Sequence, residues 1–315
     1  MKKILKIVAL AIFSIVIIFI LKVAVLGIPS YDPPQLQFEV QLDSTKIERG
    51  KKLTLMLCAN CHIDPKTEKL TGTLMLDAPP EFGKVYSQNI TQDKQYGIGN
   101  WTDGELIYLL RTGIKKDGSY APPYMAKLPK MADEDIESIV AYLRSDDQMI
   151  AADATPDHPV EPSFLTKLLC NIAWKPLPMP TQEIPLPDSS DQIAVGRYYA
   201  QNLDCFSCHS ADFKTNNFLE PELSEGYFGG GNQPLNRKGQ VILTANLTPH
   251  ETGITNYSEA EFVRMLRFGL KSNEAPLRYP MLPYTHLTND EASAIYKYLQ
   301  TLTPIDNKVE RQFYE

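Results

Sequence analysis

Cys58-Ala59-Asn60-Cys61-His62 and Cys205-Phe206-Ser207-Cys208-His209 repeat one five-residue pattern: two thiols three positions apart, then an imidazole. Thiols at that spacing reach the two vinyl groups of a porphyrin and add to them. The adjoining histidine then offers a nitrogen to the iron from the proximal side. The competing chemistries fit less well. A redox-active dithiol needs no following histidine, and a zinc site made from the four thiolates leaves both histidines without a role. Two-residue loops also make poor disulfide staples. The expectation is two covalent haem c groups, attached at Cys58, Cys61, Cys205 and Cys208, with His62 and His209 on the iron.

The sequence around the two motifs repeats as well, and the repeat selects further ligands. A helical pattern precedes each motif, over Thr45–Leu57 and Ile193–Leu203, and each contains a glycine, Gly50 or Gly196, that lets another helix approach closely. After each motif come Ser87-Gln88-Asn89-Ile90-Thr91 and Thr244-Ala245-Asn246-Leu247-Thr248. Thr102 with Glu105 and Ser258 with Glu261 then open a helix as capping boxes. Both of these helices stop at Arg-x-Gly, Arg111 to Gly113 and Arg267 to Gly269, where the glycine suits a left-handed cap. The terminal helices follow, Ile136–Arg144 and Ala292–Leu302, with Tyr142 and Tyr298 at equivalent places, each expected to cross its unit's first helix near the glycine.

Superposing the terminal helices aligns Met125 with Met281, and Met131 with Leu287. Thioether sulfur is a soft donor suited to haem iron. Met125 and Met281 are therefore the expected distal ligands, with His286 the alternative to Met281. Met131 falls where any apolar side chain serves, and it is read as core filler together with Met56, Met75, Met149 and Met179. Gly229-Gly230-Gly231 lacks the Gly-Lys and helix context of a phosphate loop and reads as a surface loop. Cys170 reads as a small buried hydrophobe.

The chain has 315 residues, room for about two domains. It begins with Lys2-Lys3 and an almost wholly apolar run to Ile28 broken by Lys6 and Lys22, which reads as an uncleaved membrane anchor over 1–29. That topology leaves Lys2 and Lys3 in the cytoplasm, lets Lys22 snorkel outward, and delivers the rest to the oxidising periplasmic side of a bacterial cytoplasmic membrane. Apart from these four lysines the chain holds 27 basic and 38 acidic side chains, a balance of −11. Such a surface argues against nucleic acid as a partner. Ala151–Asp191 is rich in proline and reads as a connector, with Phe164–Trp174 apolar enough to pack across both units.

Phe82-Gly83-Lys84-Val85-Tyr86-Ser87-Gln88-Asn89-Ile90-Thr91, Gly97-Ile98-Gly99-Asn100-Trp101-Thr102-Asp103 and Arg111-Thr112-Gly113 resemble the cytochrome c subunits of membrane-bound periplasmic dehydrogenases. The second unit resembles the same pattern through Asn246-Leu247-Thr248-Pro249, Gly253-Ile254 and Arg267-Phe268-Gly269. Those subunits pass electrons from alcohol, gluconate or sorbitol dehydrogenases toward the respiratory chain. They usually carry three haem units against two motifs here, which leaves the partner and any quinone role open. The repeat and the resemblance together imply an all-α architecture: tandem cytochrome c domains over 42–150 and 191–305, which the resemblance covers, joined by the connector 151–190, which it does not. It implies an electron carrier rather than an enzyme, with a periplasmic dehydrogenase, a terminal oxidase or a soluble cytochrome as redox partner. The alternatives are a peroxidase-like or haem dehydrogenase enzyme with one labile axial position, and a redox sensor or assembly subunit.

Overall fold

Residues 1–271 and 275–310 are described by a computed structural model of the chain. Its architecture is mostly helical. Helix α1 (Lys2–Leu26) is the one helix among the described residues long and apolar enough to cross a membrane. Next come α2 (Ser44–Leu57), the short α3 (Ala59–His62), α4 (Asp103–Thr112) and α5 (Asp133–Leu143). Helix α6 (Phe164–Ile172) lies in the proline-rich stretch and is followed by α7 (Gln192–Asn202), the short α8 (Cys205–His209), α9 (Glu259–Phe268) and α10 (Asn289–Leu299).

Local chemistry accounts for the helix ends. Asp43 and Asp191 cap α2 and α7 by accepting from backbone N–H groups of the first turn. Reciprocal capping boxes open α4 (Thr102 with Glu105), α9 (Ser258 with Glu261) and α10 (Thr288 with Glu291). Helices α4 and α9 end in left-handed glycines, Gly113 at φ 83° and Gly269 at φ 73°. Helix α5 begins three residues before the pattern suggested, with Asp133, Glu134 and Asp135 in its first turn. Carboxylates there complement the exposed N–H groups and the helix dipole.

Two helix crossings build the core, α2 on α5 and α7 on α10. A Cβ on Gly50 would overlap the Ser138 carbonyl oxygen and lie 2.9 Å from Tyr142 Cβ. One on Gly196 would overlap the Ala294 carbonyl oxygen and lie 2.9 Å from Tyr298 Cβ. The same close approach thus recurs at equivalent residues, and only glycine permits it. The two crossings share one apolar core that includes Leu53, Ile139 and Leu143 on one side and Tyr199, Ile295 and Leu299 on the other.

A polar network also ties the crossings together. Arg49 (α2) forms a two-pronged ion pair with fully buried Asp135 (α5), both contacts at 2.8 Å, and donates to the Tyr199 (α7) hydroxyl at 2.9 Å. The Tyr198 hydroxyl donates to Asp135 at 2.5 Å, and Lys52 and Tyr199 both reach Glu291 of α10.

The proline-rich stretch is not extended throughout. Ser163 caps α6, and no proline interrupts 163–175. Glu161–Pro162 pairs antiparallel with Gly83–Lys84. Cys170 is fully buried in a second cluster with Phe82, Tyr120 and Trp174. Phe213, from the loop after α8, closes on it with ring centroids 5.1 Å from Phe82 and 6.0 Å from Trp174. The stretch therefore packs against residues from both halves of the chain.

Candidate functional site

Backbone bonds from His62 N to the Cys58 carbonyl (2.8 Å) and from Cys61 N to the same oxygen (3.1 Å) wind the first motif into a helical turn. In the second motif all five residues lie in α8. Positions i, i+3 and i+4 share a helix face, so each motif turns two thiols and one imidazole the same way. All six line one cavity of about 1180 Å³. Small-molecule pockets usually run to about 1,000 Å³ at most. Among the described residues no three Cys, His, Asp or Glu side chains gather as a metal site, so the four-thiolate zinc reading lacks a centre. No thiol is in a disulfide.

Both histidines are held in one tautomer. His62 Nδ1 is 2.7 Å from the Gln88 carbonyl oxygen, and His209 Nδ1 is 2.8 Å from that of Ala245. A carbonyl can only accept, so Nδ1 carries the proton and Nε2 keeps its lone pair for a metal. Burial pushes both imidazoles below their ordinary pKa, against the pull of the carbonyls. This favours the neutral, ligating form.

The residue after each accepting carbonyl is the repeated asparagine, which explains the motif. Asn89 Oδ1 accepts from the Thr91 N–H (2.9 Å) and hydroxyl (2.7 Å), and its amide donates to the carbonyls of Asp153 and Thr155. Asn246 does the same with Thr248 at the same two distances and donates to the Ile305 carbonyl and the Thr252 hydroxyl. Each asparagine thus clamps the loop that presents the histidine's acceptor.

The surface-loop reading of Gly229-Gly230-Gly231 is corrected here. Gly229 and Gly230 are buried, and Gly230 N donates to the His209 carbonyl at 2.7 Å. Gly72 N donates to the His62 carbonyl at 2.8 Å in the same way. Gly230 has φ 72° and Gly72 φ 88°, and a Cβ on either would strike the clamped loop. The pairing could have been found by aligning Leu70-Thr71-Gly72 with Phe228-Gly229-Gly230.

Met125 and Met281 differ in placement from Met131 and Leu287. Met125 and Met281 are half-buried and line the cavity. Met131 and Leu287 are each 1% exposed, lie in the apolar core and do not line it. Backbone bonds support the register independently. Ala121 N to the Gly113 carbonyl (2.8 Å) matches Leu277 N to Gly269 (2.8 Å), each four residues before the methionine. Leu128 N to Leu110 (2.8 Å) matches Tyr284 N to Leu266 (2.9 Å), each three residues after it.

In the first loop the buried Arg111 donates to the carbonyls of Leu128 (2.8 Å) and Met131 (2.6 Å) and to Asp133, while Lys127 Nζ donates to the Pro122 carbonyl at 2.7 Å. The equivalent Arg267 reaches Asn289. His286 is exposed at the cavity edge, His158 lies beside Tyr86, and His250 bonds to Thr252.

Some cavity groups were not anticipated. Met56 and Met75, expected to be core filler, line it, as do Asp77 and Asp204. Asp77 accepts from the Tyr279 hydroxyl at 2.6 Å. Asp204 stands in the left-handed region at φ 58° and accepts from the Ser207 hydroxyl at 2.7 Å. Burial pushes its carboxyl up to about 7, with Ser207 and Lys127 pulling the other way. No spacing rule marks such residues, because both approach through loop geometry.

A helical body whose duplicated thiol-thiol-imidazole turns line one cavity has the chemistry that covalent haem attachment requires. Residues 47–146 match the cytochrome c family and form a cytochrome c domain, which implies covalently bound haem c. The chain is homologous to the cytochrome c subunit of a quinone alcohol dehydrogenase from Gluconacetobacter polyoxogenes, 26% identical over 279 residues that cover 84% of this chain and 57% of the relative. It is similar to the fructose dehydrogenase cytochrome subunit of Gluconobacter japonicus, 28% identical over 273 residues and covering 81% and 52% of the two chains. For the gluconate 2-dehydrogenase cytochrome c subunit of Pantoea cypripedii the figures are 26% over 275 residues, 83% and 60%. The chain therefore spans between 52% and 60% of the length of these relatives. They are cytochrome subunits of dehydrogenases and not the catalytic subunits.

Proposed function

We propose that this chain is a membrane-anchored, dihaem electron carrier that takes electrons from a periplasmic dehydrogenase and relays them toward the respiratory chain. The observation that carries the reading is the duplicated histidine arrangement. Each imidazole keeps Nε2 free because Nδ1 donates to a carbonyl fixed by an asparagine clamp. One haem c would be held by Cys58, Cys61, His62 and Met125, and the other by Cys205, Cys208, His209 and Met281. Bound haem supplies a reversible one-electron couple.

The chain's own residues do the rest. The cysteines would fix the group's position through thioether bonds, which carry no charge. The apolar lining excludes water and favours the form of lower net charge. Met125 and Met281 would fill the distal sides, leaving no site for a substrate and favouring carriage over catalysis. Both attachment turns line the same cavity, so electrons could pass between the haems within one chain. Helix α1 would hold the body on the periplasmic face, and the acidic surface would offer a docking charge to a basic partner.

The test is the haem count per chain. Acid-acetone extraction should leave the colour on the polypeptide, and pyridine haemochrome titration against protein mass should give two haems. One haem per chain, or loss of the colour to the solvent, overturns the reading.

A further inference from the structure

We propose that α6 lies in the headgroup layer of the bilayer crossed by α1, with Phe164, Leu168 and Ile172 in contact with lipid. The inference rests on α1 being retained as a membrane anchor. It assigns a bilayer-contact surface to a segment otherwise read as a connector.

Position comes first. Helix α1 has 25 residues, about 37 Å of helix, against a hydrocarbon core of about 30 Å. Its last turn therefore reaches the headgroup zone. Val23, in that turn, is the one buried residue of α1, and α6 is the helix packed on α1. The Asn171 side-chain amide donates to the Gly27 carbonyl at 2.9 Å, immediately after α1 ends. Ile28 and Tyr31 pack into the cluster around Cys170. Helix α6 is thus fastened at the depth where the chain leaves the membrane.

The composition of α6 agrees. Its inner face, with Thr166 and Cys170, is buried, and Thr166 Oγ1 donates to the Phe82 carbonyl at 2.8 Å. The outer face is apolar too. Phe164 is 45% and Ile172 57% exposed, with the half-buried Leu168 between them at four-residue spacing. Lys167 and Asn171 flank this stripe, and among the described residues nothing fully covers Phe164 and Ile172, the pattern of an amphipathic helix lying at a membrane interface. Residues 163–175 contain Lys167 and Lys175 and no carboxylate, in a body otherwise strongly acidic. Basic residues beside an exposed apolar stripe suit the anionic phospholipid surface. With α6 seated there, the cavity lined by the two Cys-x-x-Cys-His turns would stand at a fixed height and tilt above the bilayer.

The experiment uses the full-length holoprotein in nanodiscs of phosphatidylethanolamine and phosphatidylglycerol. Single variants Phe164→Cys, Ile172→Cys, Ile12→Cys and Arg264→Cys carry a nitroxide, and the buried Cys170 stays unlabelled. Phe164, Ile172 and Arg264 are exposed, so an unchanged haem spectrum is required of each variant. Collision with oxygen relative to a water-soluble nickel chelate reports depth. Labels at 164 and 172 should lie about 5–10 Å into the boundary, the label at 12 deeper still, and the label at 264 in water. If 164 and 172 match 264 while 12 reports lipid, the anchor stands and this proposal falls. If 164 and 172 are shielded from both reagents, a protein covers them and the lipid assignment is wrong. If mature protein lacks residue 12, the anchor reading itself fails, which mass spectrometry distinguishes.

Discussion

Met125 and Met131 lie six residues apart, and the structure gives them opposite consequences on substitution. Met131 is 1% exposed inside the apolar core. Truncating such a side chain to alanine costs about 2–5 kcal/mol. At about 2–4 °C per kcal/mol for a body of this size, Met131→Ala should lower Tm by about 4–20 °C. Met131→Leu conserves volume and should cost less than about 1.5 kcal/mol. Met125 is half-buried at the cavity wall, where alanine leaves a gap continuous with the cavity. Its substitution should cost little stability and instead empty one distal site.

The assay pairs two readouts, the melting curve and the weak sulfur-to-iron charge-transfer band of the oxidised protein. Met125→Ala and Met281→Ala should each remove the band for one haem, lower that haem's potential and admit carbon monoxide or a high-spin state. Met131→Leu should leave band and Tm nearly unchanged, and Met131→Ala should move Tm alone. Loss of the band in Met131→Leu, with its retention in Met125→Ala, would refute the register derived from the paired backbone hydrogen bonds.

Gly196→Ala should destabilise by about 1–3 kcal/mol or more, since its Cβ meets the Ala294 carbonyl, and denaturant unfolding will show it. Asp135→Asn should destabilise by at most about 3–5 kcal/mol, since Arg49 loses its two-pronged partner and keeps only the 3.8 Å contact with Glu291, while Arg49→Met with Asp135→Leu should regain part of that loss in a double-mutant cycle. At Glu291, burial acts to raise the carboxyl pKa, but the hydrogen bonds from Lys52 and Tyr199 outweigh it and hold the group below its ordinary value. A depressed acid contributes stability that is complete above the unfolded pKa and lost as pH falls through the folded one. Glu291→Gln should therefore flatten the loss of stability below about pH 4.3, measured against wild type. Electron exchange with a basic redox partner should slow as salt rises past physiological strength, where screening acts over about 8 Å, and a flat salt profile removes steering by the acidic surface.

The parts of this protein legible in its sequence are those governed by fixed spacing. Two thiols and an imidazole at i, i+3 and i+4 must share a face of a helical turn, and Thr102/Glu105 or Ser258/Glu261 can cap only one helix end. Internal duplication then extended the reading to loops, because Met125 and Met281 agree in position while Met131 and Leu287 agree in burial. Partners supplied by the backbone were not legible. Nothing in the letters Gln88 or Ala245 marks their carbonyls as histidine acceptors, although the asparagine that fixes each was visible as a repeat. Gly230 was misread for a related reason. Glycine runs are common in exposed loops, and its burial follows from a contact with the loop before Asn246, sixteen residues away.

The network around Arg49 and Asp135 escaped detection because its members come from four helices, and each taken alone reads as a solvated charge. Its place in the structure argues for a role in alignment. The apolar core runs without a break from the α2–α5 crossing to the α7–α10 crossing, and apolar contact tolerates sliding. Hydrogen-bonded charges do not, because a small displacement leaves a fully buried carboxylate without its partners. Tyr198 and Tyr199 enter the network from α7, six to eleven residues ahead of Cys205, Cys208 and His209 on the same run of chain. Arg49 and Lys52 enter it from α2, the helix that ends at Cys58. The helices that lead into the two attachment turns are thus locked to each other a few turns before they reach the cavity. This fixes how the two Cys-x-x-Cys-His turns face one another.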